Sequence, residues 1–317
     1  MKSLTLPTYL RDLSHRSLST FWEMARIMVP IMIIMRFADT YGVIDWMSPA
    51  MQPVMALLNL PPEAAIVCLT AILTGLYGAI ATLPVLIGQE LTAAQITSIC
   101  TFMLIAHALP VEQAIVRRAG GSFWGTVFLR LFAACLAVLL IDAGSKATDY
   151  LSEPQSLDHF KEFARVDARH MDWALSSLKG MVLLFIILAG LLVMMDAFDR
   201  FGVTAVFNRL FAPVMHLSGL DRSVTSITTA GILLGLAYGG GLIIARGNDP
   251  AISHKARYYA LCWLSLCHGL IEDVALMVAI GGDFWVLFFG RLALTLVLVR
   301  GLMLWHRLRK KEILATT

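Results

Sequence analysis

Long, uninterrupted apolar runs dominate this sequence and leave few folds open. Residues 180–195, GMVLLFIILAGLLVMM, pass sixteen positions without a polar side chain. About 20 such residues in a helix cross the roughly 30 Å hydrocarbon core of a bilayer. Comparable runs lie at about 21–40, 122–141 and 284–304. Of 317 residues, 58% are hydrophobic and 15% charged, so a soluble domain of this composition would expose large apolar patches. The runs are continuous rather than alternating, which argues against a transmembrane β-barrel. The expected class is an all-α polytopic membrane protein, with room for about eight spans.

The sequence repeats itself. MRFADTYGV at 35–43 returns as MDAFDRFGV at 195–203, and Pro53-Val54-Met55 returns as Pro213-Val214-Met215, both at a shift of 160. ILTGL at 72–76 pairs with ILLGL at 232–236. At a shift of 161, His107 falls on His268, Glu112 on Asp273, Phe123-Trp124 on Phe284-Trp285 and Arg130 on Arg291. So many matches in order at nearly one shift indicate duplication.

Each half follows the same plan. An apolar helix (21–40; 180–198) precedes an amphipathic segment (46–60; 203–218) and a Gly-rich stretch (63–87; 224–245). A histidine-bearing segment (93–116; 257–280) and a final helix (122–141; 284–304) complete it. The expected organisation is a cytoplasmic N-terminal segment 1–20, membrane repeat 1 over 21–142 and a polar connecting loop 143–178. Membrane repeat 2 then takes 179–305, and 306–317 form a basic cytoplasmic tail. No cleavable signal peptide is expected, because a polar stretch precedes the first apolar run.

Lys2, Arg11 and Arg16 at one end, and Arg307, Arg309, Lys310 and Lys311 at the other, put both termini on the cytoplasmic side by the positive-inside bias. Arg117 and Arg118 in one half, and Arg200, Arg209 and Arg222 in the other, mark loops that swap sides. The halves are then inverted in topology, each with an interfacial helix. An odd number of crossings per half follows most simply if the Gly-rich stretch is a re-entrant hairpin, with Gly75, Gly78, Gly235, Gly239 and Gly240 at the tips. Non-helical backbone at membrane depth is tolerated only under protein cover or beside a water-filled cavity. Two full-length helices packed through small residues are the alternative.

The polar residues within the apolar segments are the candidate site. TFMLIAHALPVEQAIVRR at 101–118 carries His107, Pro110 and Glu112, and LSLCHGLIEDVALM at 264–277 carries His268, Glu272 and Asp273. Arg130 follows Glu112 by eighteen residues, and Arg291 follows Asp273 by the same interval. A charge at the bilayer centre costs about 2.5–3.5 kcal/mol even on the lenient insertion scale, so such residues face inward and pair. Glu112 with Arg130 and Asp273 with Arg291 are the expected pairs, which read equally as packing devices or as a binding site. Arg36 and Asp196 are candidates for a further pair across the halves. Pro110 breaks its helix, and a histidine beside an acid can carry a proton near neutral pH. A metal is a second reading, with His107, His268 and Glu272 as ligands, since His268 and Glu272 share a helix face.

Other features exclude classes. The five cysteines are odd in number, lie in apolar runs and form no C-x-x-C, so neither a disulfide framework nor a zinc-finger site is expected. The net charge of +3 is dispersed, and the basic ends fit membrane flanks better than nucleic-acid binding. No phosphate-loop, nucleophile-elbow or zinc-protease motif is present, so no enzyme and no cofactor is expected.

The paired HALPVEQ and HGLIEDV stretches, the Gly-rich segments and the FW…RL helices resemble the Gate, or nucleoside-recognition, family. Its relatives include spore maturation proteins A and B and the membrane part of ferrous-iron transporter B. The layout is also similar to that of concentrative nucleoside transporters. The resemblance covers about 20–305 and implies an inner-membrane, multi-pass protein in contact with the lipid bilayer. The GTP-binding domain of the iron transporter has no counterpart here.

The expected function is secondary transport of a small polar solute, nucleoside-like or other, through a midplane site between inverted repeats. His107, Glu112, His268 and Asp273 would bind solute or coupling ion, with Arg130 and Arg291 beside them. The alternatives are divalent-metal transport, or a non-transporting subunit acting with a second Gate-like protein. Homo-oligomerisation is compatible with each.

Overall fold

The structure is a computed structural model that describes residues 6–157, 170–221, 223–224, 228–229, 231–232, 235 and 252–316. Helix α1 (Leu6–Thr40) is followed by α2 (Val43–Leu57), α3 (Ala64–Thr74) and α4 (Leu76–Thr82). Then come α5 (Ala93–Ala106), α6 (Leu109–Arg118) and α7 (Phe123–Thr148). The second half supplies α8 (His170–Arg200), α9 (Val203–Leu217), α10 (His254–Leu266), α11 (Glu272–Ile280) and α12 (Arg291–Thr316). A π-helical turn, Val286–Gly290, leads into α12. Strand pairing among the described residues is confined to Leu91–Thr92 against Pro154–Gln155, antiparallel.

Helix α1 begins well before the apolar run. Its polar first turns are supported by an i,i+4 pair, Asp12 with Arg16 at 2.9 Å. Arg16 also meets Asp196 of α8 bidentately, at 3.0 and 2.6 Å, and Phe21 packs edge-on to Phe185 at 5.3 Å. These contacts advance along α1 while receding along α8, so the two helices are antiparallel. Asp196 pairs with Arg16, and the side chain of Arg36, its expected partner, lies outside the described residues. The connecting stretch 143–178 is partly helical, since α7 holds it to Thr148 and α8 takes it up from His170.

Among the described residues, three stretches are long and apolar enough to cross a bilayer: Ala93–Arg118, Phe123–Thr148 and Val286–Leu308. The first is α5 plus α6, bent between them. Helix α5 is buried on every face from Ile96 to Ala106. It starts on a capping box in which Thr92 accepts from the Gln95 amide and Gln95 reaches back to the Thr92 amide. Helix α7 packs on it, and the buried Ala133, Ala134 and Ala137 of α7 have small side chains of the kind that allow close approach between helices.

The polar–apolar distribution is inside-out relative to a soluble protein. On α7, Phe128 and Phe132 are 66% and 59% exposed, while Arg130 between them is 0% exposed. On α12, Val297 and Leu304 face outward and Arg291 and Thr295 are buried. Helices α2 and α9 expose apolar side chains too, Trp46 and Leu57 in one and Val206 and Leu210 in the other. Only a lipid environment makes such a surface favourable.

Backbone features recur between the halves. Positive φ occurs at Gly42 and Gly202, at Gly75 and Gly235, at Ala108 and Gly269, and at Gly120 and Gly281. The amide of Gly121 bonds to Val116 O, as that of Gly282 bonds to Met277 O. Ser122 caps α7 through the Gly125 amide, and Asp283 accepts from the Val286 amide in the same way.

Candidate functional site

The site forms where helices break. Helix α5 ends at Ala106, His107 is extended (φ −71°, ψ 158°), and Ala108 is left-handed with φ 48°. The break precedes Pro110, which then sits in the first turn of α6, where its missing N–H removes no helical bond. The Gly-rich stretch breaks as well, at Gly75, whose φ of 105° and ψ of −175° are open to glycine alone. The two breaks are joined, because the Ala108 amide donates to Ala71 O of α3 at 2.8 Å. In the second half the Leu270 amide donates to Ile232 O at 2.9 Å, beside the positive-φ Gly235.

A broken helix leaves carbonyls without amide partners. The buried arginines supply them. Arg130 donates from Nε to Ile105 O at 2.6 Å and from Nη2 to His107 O at 2.8 Å. Arg291 donates from Nε to Leu266 O at 2.8 Å and from Nη2 to Leu104 O at 2.9 Å, the latter across to the other half. The sequence places the arginines in the site but gives no sign of this role, because carbonyl acceptors carry no residue identity.

Two histidines meet at the centre. His107 Nδ1 lies 2.9 Å from Met103 O, and His268 Nδ1 lies 2.7 Å from Leu264 O, each one helical turn back. A carbonyl oxygen only accepts, so Nδ1 carries the hydrogen in both rings, and Nε2 of each neutral imidazole is a lone-pair donor. The two Nε2 atoms stand 3.2 Å apart. Glu112 Oε1 lies 3.3 Å from His107 Nε2 and 3.1 Å from His268 Nε2, while its Oε2 is paired with Arg130 Nη1. Asp273 completes the group, with one ligand atom from each of His107, His268 and Asp273 within 4.8 Å of one another. Both histidines are buried. Such converging lone pairs attract a proton, a metal cation, or the O–H and N–H groups of a ligand.

The structure brings together His107, Glu112, Arg130, His268 and Asp273, and brings Arg291 against the same helix break. The expected pair of Asp273 with Arg291 is not formed. Arg291 spends two of its nitrogens on carbonyls, and its Nη1 has no partner among the described residues. Both arginines anchor Nε on equivalent carbonyls, and aspartate is one methylene shorter than the glutamate that reaches Arg130. Glu272 stands beside Asp273 in the first turn of α11 but outside the histidine cluster. Gly78 lies inside α4, just beyond the break at Gly75. Gly239 and Gly240 lie outside the described residues.

An apolar groove of about 740 Å³ opens beside the site between α7 and α12. Leu136, Leu140, Leu294 and Val297 line it, and Arg291 forms part of its wall, but neither histidine does.

Apolar helices with lipid-suited exteriors, broken around buried histidines and charges, define an all-α, multi-pass membrane protein. More particularly, residues 21–123 match the model of the Gate family, described as nucleoside recognition. That match takes in the break at His107 and Glu112 and ends before Arg130. The chain is similar to "Uncharacterized membrane protein YvoD" of Bacillus subtilis (strain 168), at 23% identity over 289 residues, covering 88% of this chain and 89% of the relative. No solved structure matches it.

Proposed function

We propose that this protein is a secondary transporter of a small polar solute, with His107, Glu112, His268 and Asp273 as its binding centre. The observation that carries the reading is the meeting of His107 and His268 from equivalent positions of the two halves, 3.2 Å apart around one carboxylate. Buried ionisable groups in an apolar segment are costly, and their gathering at joined helix breaks is the arrangement of a midplane site in repeat-built transporters. In this reading the halves are inverted in topology, the Gly-rich stretches are re-entrant, and both termini face the cytoplasm across the inner membrane. The lone pairs of the histidines and acids accept from the solute, and Arg130 and Arg291 hold the broken backbone open. The family description favours nucleoside-like solutes, whose hydroxyl and amino groups suit acceptors of this kind.

The test is uptake by proteoliposomes of the purified protein, over a panel of nucleosides, nucleobases and other polar solutes. Uptake of one class that falls at least tenfold in His107→Ala and Asp273→Asn supports the reading. Uptake that persists unchanged with both histidines and both acids replaced overturns the site, and no uptake of any solute overturns the activity.

A further inference from the structure

We infer that the centre binds one divalent transition-metal ion of the zinc type, held by His107 Nε2, His268 Nε2, a Glu112 oxygen and an Asp273 oxygen. This deepens the transport reading and rests on it for what the ion is used for, as cargo or as the coupling ion of the solute; the binding chemistry stands on the geometry alone.

Three observations converge. The first is the shape of the donor set. The His107 Nε2, His268 Nε2 and Glu112 Oε1 atoms form a triangle with edges of 3.2, 3.1 and 3.3 Å. A tetrahedral ion with bonds of roughly 2.0–2.1 Å to nitrogen and oxygen separates its ligands by about 3.3 Å, so the triangle has the size of one tetrahedral face. The Asp273 carboxylate stands within 4.8 Å of the two histidines and can supply the fourth vertex.

The second is the orientation of the ligands. Each imidazole donates Nδ1–H to a backbone carbonyl, which fixes the ring and leaves Nε2 directed at the centre. This is the outer shell usual around metal-ligating histidines. Glu112 is held the same way, its second oxygen on Arg130. The third is donor type, two imidazoles beside two carboxylates. Two nitrogen donors select a transition metal over Mg²⁺ or Ca²⁺, which prefer oxygen throughout. Glu272 is not part of the set, so the ligands differ from those that helical spacing alone suggests.

The experiment uses the full chain in detergent, stripped with a chelator and then titrated with Zn²⁺ by calorimetry and with Co²⁺ by visible absorption. The expected result is one ion per chain, with the intense visible bands of tetrahedral Co²⁺. His268→Gln and His107→Ala, checked for monodispersity, should each weaken binding by at least about tenfold. Mg²⁺ should not compete. No saturable binding, weak octahedral-type Co²⁺ bands on the unaltered protein, or stoichiometric binding that survives in both variants would each overturn the inference. The spectrum of the unaltered protein decides the matter even if the variants fail to fold. Solute uptake that is indifferent to chelation, with no metal bound, sinks the metal and leaves the transport reading standing. Metal binding without flux of any solute or ion does the reverse.

Discussion

His107 and His268 are separated by 161 residues in the chain, yet their Nε2 atoms stand 3.2 Å apart and share one oxygen of Glu112. Two groups acting on one bound species cannot be removed independently. In a double-mutant cycle, His107→Ala and His268→Ala should show a coupling of about 0.5–3 kcal/mol in ligand binding, with the second substitution costing far less than the first. Ligand-induced thermal stabilisation of the four proteins measures it. Additive losses would mean that the rings serve separate sites.

Arg130 is fully buried and donates to Ile105 O, to His107 O and to Glu112. Removing one partner of a buried ion pair costs about 3–5 kcal/mol, because a charge is left unpaired. Arg130→Met should destabilise by that order, and Arg130→Lys should recover little, since an ammonium cannot serve three acceptors held in the plane of a guanidinium. Glu112→Gln combined with Arg130→Met should be milder than Arg130→Met alone. Thermal unfolding in detergent gives the ranking, and a lysine variant as stable as the unaltered protein would contradict this account.

Ala108 and Gly269 occupy equivalent left-handed turns, with φ of 48° and 58°. A left-handed conformation costs a residue with a Cβ roughly 1–2 kcal/mol. Ala108→Gly should therefore be neutral or slightly stabilising in melting temperature. Gly269→Ala should be strongly destabilising, because the added methyl would overlap the Asp273 carboxylate as well as strain the turn. It should also lower ligand affinity, since Asp273 must move. Equal effects of the two substitutions would refute the difference in surroundings.

Some of this was readable along the chain and some was not. Hydropathy is one-dimensional, so the apolar runs revealed the membrane class, and the HALPVEQ and HGLIEDV stretches revealed the Gate resemblance. The Glu112–Arg130 pair was also legible, because two unlike charges in neighbouring apolar helices have few other partners. The same spacing misled for Asp273 and Arg291. Spacing does not encode reach, and the shorter aspartate leaves Arg291 to the carbonyls of Leu104 and Leu266. Those carbonyls, like Met103 O and Leu264 O behind the histidines, are invisible in a sequence, because every residue has one. The choice of Asp273 over Glu272 in the cluster depends on how α11 is rotated after the break at Gly269, which periodicity over nine residues cannot fix.

Tyr150 ties the connection between the halves to the start of the last helix, donating from its hydroxyl to Asp283 Oδ2 at 2.9 Å. This hydrogen bond to a carboxylate raises the tyrosine's pKa above its ordinary value, with a smaller contribution from burial. The sign follows from the direction. A group whose pKa is higher in the folded state stabilises fully below its unfolded pKa of about 10, and that stability is lost as the pH rises through the folded value. Above it, the phenolate faces the Asp283 carboxylate and repels it. Tyr150→Phe removes the bond and the titration together. The unaltered protein should therefore melt slightly higher than Tyr150→Phe near neutral pH, and the difference should shrink and reverse as the pH climbs past about 10. The side chain is half exposed, so the effect is small and solvent-screened. Melting curves of the two proteins across that range decide it, and parallel curves would show that the bond does not persist in solution.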